Sequence, residues 1–466
     1  MKNNTNLSIK NMRLMLLLSV WWICLGSCSK FLAKKSNNTL VTPSTTEDLQ
    51  QILDDSQLMN EVATPSYGET SSDDYFIPNK IYSGMNQGYQ NLYTWAHNDA
   101  STSNDWSTCY VKIYNANLCL EKLSEIKPNN NQLLAWKNVK GSALFFRAYY
   151  FLELAWNYAK AYDKATSEKD LGIALRTSSD FNVPSKRANV EQTYQKIIED
   201  SKQSLKLLPN YATVPTRPSK AAAYGLLART YLSMRDYNNA LKYADSCLKL
   251  NDQLIDFNGD NDIINDLSKN VPFKKFNKEI IFYTEMNKVL TLYKTTTRGR
   301  VDSSLYLSYN PHDIRTQAYF TQNKDGYQMF KANYTANMNL LFTGIATDEI
   351  YLIRSESYIH MGELQKGIDD LNSLLIKRWD SMYFKPFAGI SKKEALIKVL
   401  TERRKELLMR GLRWMDIKRQ NKETANIVLK RLENGIIFKL EPNSKFYALP
   451  LPDDIIQLTN MPQNPL

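Results

Sequence analysis

The sequence predicts a mainly α protein, a superhelix of stacked helix pairs carrying long loop-rich insertions that form a binding face. Three observations lead there. A stretch at Leu227–Tyr237 recurs in kind 127 positions further on, at Arg354–Leu364. Apolar residues around both copies return every three to four positions, the period of an amphipathic helix. Between the periodic segments lie stretches rich in Asn, Asp, Ser, Thr, Gly and Tyr, where helical periodicity fades.

In the two copies, small residues align at Ala228 and Ser355, tyrosines at Tyr231 and Tyr358, and methionines at Met234 and Met361; small residues return at Ala240 and Gly367. This is tetratricopeptide spacing. One helix offers small and aromatic residues to its partner, and after a short turn a second helix closes the pair through Leu241, Ala244 and Cys247, or Ile368, Leu371 and Leu374. A more diverged third copy places Ala148, Phe151 and Leu154 on its first helix. A loop through Pro184 follows, and Tyr194, Ile197, Ile198, Ser201 and Leu205 mark the returning helix. A partial fourth copy is expected nearer the amino terminus. The helix pairs therefore fall near 137–208, 219–250 and 346–378. No such pair buries its apolar face alone, so neighbours must stack.

Along the chain, the first feature is an apolar run from Leu14 to Leu25 preceded by Lys2, Lys10 and Arg13 with no acid. About 12 residues are too few for a helix to cross a bilayer, which takes about 20. A basic start and a short apolar middle are the order of a secretory signal. Leu25-Gly26-Ser27-Cys28 resembles the lipobox of bacterial lipoproteins, which makes 1–27 a removable signal, Cys28 the lipidated first residue, and 28–43 a tether. Acyl chains contribute about 0.8 kcal/mol per buried methylene, so several of them hold a chain firmly to a membrane. Residues 44–466 are expected to form one domain. It opens with Ser44-Thr45-Thr46-Glu47 as a capping box before a helix carrying Leu49, Ile52 and Leu53.

The loop-rich regions are 62–108 and 251–340, and long ordered loops usually carry function. A carboxy-terminal helix is expected over 392–420, with Leu396, Leu400, Leu407 and Trp414 turned inward and Glu406 and Arg410 as a supporting pair four apart. A proline-punctuated tail completes the segment 392–466.

Removal of the signal leaves 439 residues and lowers the formal charge from +11 to +8, since three basic residues leave with it. Basic residues mostly sit beside acids, as in Glu402-Arg403-Arg404-Lys405-Glu406, which argues for solvated helix faces and against nucleic acid. Cys109, Cys119 and Cys247 have no metal-type spacing and imply no disulfide framework. No phosphate loop, nucleophile elbow, His-Glu-x-x-His pair or dinucleotide fingerprint occurs, so no enzyme and no cofactor is expected. His97, His312 and His360 are scattered. Asp256, Asn258, Asp260 and Asp262 alternate as calcium ligands do, but the glycine falls fourth and Leu267 stands where a bidentate glutamate belongs.

Binding needs flat aromatic faces flanked by donors and acceptors. The loops supply Tyr67, Tyr75, Tyr82 and Trp95 with Asp73, Asp74, Asn79 and Asn86, then Tyr319, Tyr327 and Tyr334 with Asn323, Asp325 and Asn333. The first four aromatics, Tyr319 and Tyr327 are the ligand-binding candidates. Trp106, directly before the helical pattern Tyr110, Ile113, Tyr114, Asn117, reads as structural, as does Trp414.

Several segments resemble one family. They are the lipobox, Phe31-Leu32 with Thr42-Pro43, Phe145-Phe146-Arg147-Ala148-Tyr149-Tyr150-Phe151 and Arg217-Pro218-Ser219-Lys220-Ala221-Ala222. Further along come Glu402–Leu407 with Gly411–Arg419, then Leu449-Pro450-Leu451-Pro452 with Gln463-Asn464-Pro465. In order and spacing the whole resembles the SusD/RagB family. That resemblance implies an outer-membrane lipoprotein, cell-surface facing, that binds a nutrient without cleaving it. It also implies a partner, a TonB-dependent transporter of SusC type, and a ligand that is an oligosaccharide in preference to a peptide. The competing reading is a helical-repeat lipoprotein that scaffolds outer-membrane assembly, which does not account for the two tyrosine-rich loop regions.

Overall fold

The computed structural model describes residues 43–96, 105–264, 266–288, 299–331 and 334–465, and Thr45–Leu466 forms one compact unit. Cys28, His97 and Asn333, the signal and nearly all of the tether lie outside the described residues. Helix α1 (Thr46–Asp54) starts one residue later than the sequence suggests. Thr45 is the N-cap, and its hydroxyl and the Asp48 carboxylate exchange bonds with each other's backbone amides. Aspartate at the third helical position serves the box as glutamate would.

Two long helices follow, α2 (Asp105–Glu125) and α3 (Leu133–Tyr158). Helix α3 is buried without interruption from Gly141 to Tyr158, because α2 packs on one side and α4 (Val190–Leu205) on the other. The expected third copy of the repeat is thus α3 and α4. Their crossing is fixed by Arg147, which grips Asp200 with two bonds of 2.7 and 2.9 Å and reaches Asn117 on α2 at 3.0 Å. The paired copies are α5 (Lys220–Met234) with α6 (Tyr237–Leu248), and α7 (Thr347–His360) with α8 (Leu364–Leu375). Helix α6 packs on α7, continuing the stack. The small residues do as the spacing requires: a Cβ at Gly367 would stand 2.5 Å from Ile359 Cγ1 and 2.7 Å from the Ser355 carbonyl.

Charge inside the stack is matched unequally. Arg229 on α5 is fully buried and holds Glu349 of α7 with bonds of 2.8 and 2.5 Å, while Glu153 of α3 stands 3.9 Å away. The guanidinium is spent on the nearer carboxylate and on the Gly344 carbonyl. Burial raises Glu153 to about 8, with Arg229 opposing and Glu349 reinforcing the rise. In the unfolded chain the group titrates near 4.5. Its contribution to stability is therefore complete below pH 4.5 and is lost as pH rises through about 8. Glu153→Gln is expected to remove this loss and raise stability at pH 9 by on the order of a few kcal/mol. Urea unfolding at pH 6 and 9 checks it: parallel pH profiles for wild type and variant would contradict the assignment.

The loop-rich regions are not loose. Short antiparallel ladders join Tyr75–Phe76 to Arg300–Val301, Ile280–Phe282 to Ile345–Ala346, and Phe320–Gln322 to Gln328–Phe330. Their rings close a second hydrophobic core around Phe257, Phe273, Tyr283, Tyr319, Phe330 and Phe342.

The carboxy-terminal helix is two helices, α9 (Lys392–Glu406) and α10 (Arg413–Asn421). The chain breaks between them at Met409 and Gly411, with φ of 59° and 75°, and the Gly411 amide donates to Glu69 at 3.0 Å. Leu396 and Leu400 are only half-buried, whereas Glu402, Arg403 and Glu406 lie inside. The expected Glu406–Arg410 pair does not form. Glu406 bonds Arg378 at 2.6 Å and Arg315 at 3.0 Å, and Arg410 bonds Asp348 at 3.1 Å. After α10 a hairpin, Leu429–Glu433 with Ile436–Leu440, and a short helix α11 (Asp453–Thr459) complete the chain. No helix among the described residues is long and apolar enough to cross a membrane.

Candidate functional site

One face of α2 carries Trp106, Tyr110 and Tyr114 at four-residue spacing, which puts them in one stripe. Trp106 is buried, edge-on to Tyr158 with centroids 5.2 Å apart, and the Tyr110 hydroxyl donates to the Ala174 carbonyl at 2.6 Å. Facing the stripe is the loop 176–185, which has no regular structure and is instead held by side chains. Arg176 donates to the Asp180 carbonyl at 2.6 Å, to Ser185 Oγ at 3.2 Å and to the Val183 carbonyl. Asn117 donates to the Arg176 and Ser178 carbonyls. Glu121 accepts from Ser178 Oγ at 2.8 Å and from the Ser179 amide at 2.9 Å. Slight burial opposes its charge, but these bonds prevail and hold the carboxyl below the usual range.

This clamp puts Phe181, 79% exposed, on Tyr114 in a stack with centroids 4.8 Å apart and planes 21° from parallel. With Ile455 and Thr459 of α11 as the third wall, the result is an open groove of about 370 Å³. That size suits a small ligand or a segment of a polymer. Its wall is largely aromatic and aliphatic and also carries hydroxyl groups, from Ser178, Ser185 and Thr459.

The sequence candidates fall elsewhere. Tyr75, Tyr82, Trp95 and Tyr319 are 8% exposed or less, so they offer no open face. For Tyr75 and Trp95 the physical reason is Arg431, from the carboxy-terminal hairpin, while Tyr82 packs on Tyr93. The Arg431 guanidinium sits 4.1 Å from the Tyr93 ring centre and 5.3 Å from those of Tyr75 and Trp95. It donates to the Tyr75 carbonyl at 2.8 Å and to that of Ser72. The ring cluster expected to hold a ligand is filled by the chain itself. Its acidic neighbours are also engaged: Asp73 bonds Arg413 at 2.7 and 2.9 Å, and Asp74 bonds Arg404 at 2.9 Å.

Tyr319 packs on Phe257 and Phe330, and the buried Tyr334 donates its hydroxyl to Glu279 at 2.5 Å. Tyr67 is half-buried, its backbone amide donating to Asp105 at 2.7 Å. Among the candidates Tyr327 is the exposed ring, at 46%, edge-on to Phe76 at 5.0 Å. Of the alternating acids, Asp256 pairs with Lys377 and Asp260 with Lys278, each at 2.7 Å. Asp262 accepts from the Lys278 amide, and Asn258 donates to the Trp379 carbonyl. Among the described residues no cluster of His, Cys, Asp or Glu is arranged as a metal cage. His312 and His360 are ring-stacked on Tyr383 and Tyr237, each at 3.7 Å.

Sequence reasoning missed Phe181, which stands alone in a polar stretch. The regular spacing of Trp106, Tyr110 and Tyr114 was the available signal, and it reads equally well as core.

Residues 30–232 match a SusD-like family model whose description is starch-binding, associating with outer membrane. Solved structures share the fold. A Bacteroides vulgatus protein provisionally named for sugar binding is 22% identical, with TM-score 0.74 over 91% of this chain and 99% of its own. A Bacteroides thetaiotaomicron protein of the SusD superfamily is 20% identical, with TM-score 0.74 over 91% and 100%. A SusD-like carbohydrate binding protein from Bacteroides vulgatus is 19% identical, with TM-score 0.65 over 90% and 97%. No curated protein matches the sequence.

Proposed function

We propose that this chain, which matches a SusD-like family model over residues 30–232 and shares the fold of SusD superfamily proteins, captures an oligosaccharide at the outer membrane and passes it, uncleaved, to a TonB-dependent transporter of SusC type. The observation that carries the reading is the groove beside α2, where Tyr114 and Phe181 form a shelf. A pyranose ring presents axial C–H groups on one face and hydroxyls around its edge, so it lies on such a shelf and bonds hydroxyls of the wall. In this reading Cys28 carries the lipid, 28–43 spans from membrane to domain, and the transporter covers the loaded ligand.

Calorimetric titration of the protein with malto-oligosaccharides, then with other neutral plant glycans, tests the binding step. Saturable one-to-one binding in the micromolar to millimolar range is expected. Absence of heat across the whole set would overturn it. Co-purification of a β-barrel with the full-length lipoprotein after mild detergent extraction tests the transfer step, and recovery of the lipoprotein alone would count against it.

A further inference from the structure

Few hydrogen bonds remain to be made inside the groove beside α2, and this narrows the ligand further than the shelf does. The Tyr110 hydroxyl is committed to the Ala174 carbonyl at 2.6 Å. The Asn117 amide donates to the carbonyls of Arg176 and Ser178 at 2.9 and 3.3 Å, and its oxygen accepts from Arg147 at 3.0 Å. Arg176 spreads its guanidinium over the Asp180 and Val183 carbonyls and Ser185 Oγ. Ser178 donates its hydroxyl proton to Glu121 at 2.8 Å, and Thr459 donates its own to the Ile455 carbonyl at 2.5 Å. A hydroxyl has one proton and two lone pairs, so these two groups are left able to accept and not to donate. Ser185 Oγ accepts from Arg176 at 3.2 Å, and the Tyr114 ring is stacked on Phe181; among the described residues neither hydroxyl proton has an acceptor.

Elsewhere the wall is hydrocarbon. Val111, 45% exposed, and the half-buried Ile455 line the groove together with the buried Ile113, Ala174 and Met461. The space of about 370 Å³ is that of a small ligand rather than of a single ring. A free sugar hydroxyl pressed against such a wall gives up its water and finds no partner, which is costly. Esterification replaces that hydroxyl with hydrocarbon and a carbonyl. A carbonyl only accepts, so it asks for one donor, and Tyr114 and Ser185 each hold one.

We propose that the groove reads an acyl substituent: its ligand is an oligosaccharide esterified on a sugar hydroxyl by acetic acid or by an aromatic acid. The sugar lies on Phe181 and Tyr114, and the acyl group lies among Tyr110, Val111 and Ile455 with its carbonyl toward the hydroxyl of Tyr114 or Ser185. This rests on the reading of Tyr114 and Phe181 as a sugar platform and adds to it the part of the ligand that the rest of the groove selects. The ester is bound, not cut.

The test is calorimetric titration of the full chain with pairs of oligosaccharides that differ only in the ester. The probes are a feruloylated arabinoxylo-oligosaccharide, an acetylated xylo-oligosaccharide and an acetylated manno-oligosaccharide, each set against its saponified twin. The feruloylated member is expected to bind about tenfold or more tighter than its twin and the acetylated members about threefold to tenfold, in step with the apolar surface each buries. A gain confined to the feruloyl pair assigns the acyl group as aromatic, and one confined to the acetyl pairs assigns it as aliphatic. Val111→Asp places a carboxylate beside the acyl group and should cut the gain to less than about twofold; Val111 is exposed, so an unchanged melting temperature shows that the variant is folded. A gain below about twofold in every pair, or one that survives Val111→Asp undiminished, sinks the inference. In the first case, heat from the saponified sugars leaves the sugar platform standing, whereas no heat from any probe removes both.

Discussion

Replacing Arg431 with alanine is expected to cost about 3–5 kcal/mol of folding stability, the largest effect of any single side chain considered, with no direct effect on ligand binding. The guanidinium is 5% exposed and central to a cage of Tyr75, Tyr93 and Trp95. Its removal leaves the Tyr75 and Ser72 carbonyls buried without their donor and opens a void between three rings. Each cation–ring contact adds about 0.5–2 kcal/mol. Arg431→Lys should recover little, because a single ammonium cannot reach carbonyls on several sides as a planar fork does. Urea unfolding monitored by tryptophan fluorescence measures the loss. A change under about 1 kcal/mol would mean that the cage is incidental to the fold.

Removal of the shelf is the second large effect, and it falls on binding. Phe181→Ala and Tyr114→Ala should each weaken oligosaccharide binding about tenfold to a hundredfold, equivalent to about 1.4–2.8 kcal/mol. Because Phe181 is 79% exposed, its loss should change stability by no more than about 0.5 kcal/mol. That separation is the diagnostic. Tyr75→Phe supplies the converse: it deletes the bond from the Tyr75 hydroxyl to the Thr70 carbonyl, lowering stability by about 1 kcal/mol while leaving affinity unchanged. Titration of the three variants against one glycan distinguishes a shelf from a core. Undiminished affinity in both shelf variants, or lost affinity in Tyr75→Phe, would move the ligand away from α2.

Regular helices were legible because their signals are local. Tyr231 stacks on Tyr243 and Gly367 lies against Ser355 and Ile359, all within about a dozen residues in sequence, so spacing alone indicates the pair. The carboxy-terminal helix divides in two where one is expected, for a related reason. Leu396, Leu400, Leu407 and Trp414 keep helical spacing across a break that needs a left-handed backbone at Met409 and Gly411, and the periodicity of the apolar residues does not register it. Glu406 and Arg410 are four apart, yet each finds a stronger partner on another segment: Arg378 and Arg315 for one, Asp348 for the other.

By itself the sequence determined the helix-pair scaffold and the resemblance that names a class of ligand. Tertiary structure alone decided which aromatic rings remain open. Tyr75 and Trp95 carry the same local signal as an exposed platform, but Arg431, more than 330 positions away, occupies their faces. Phe181 carries almost no signal and remains exposed because Arg176, Asn117 and Glu121 hold its loop against α2. A ring is driven out of water wherever a partner reaches it, and the partner's reach is set by the folded path of the whole chain rather than by the ring's neighbours in sequence.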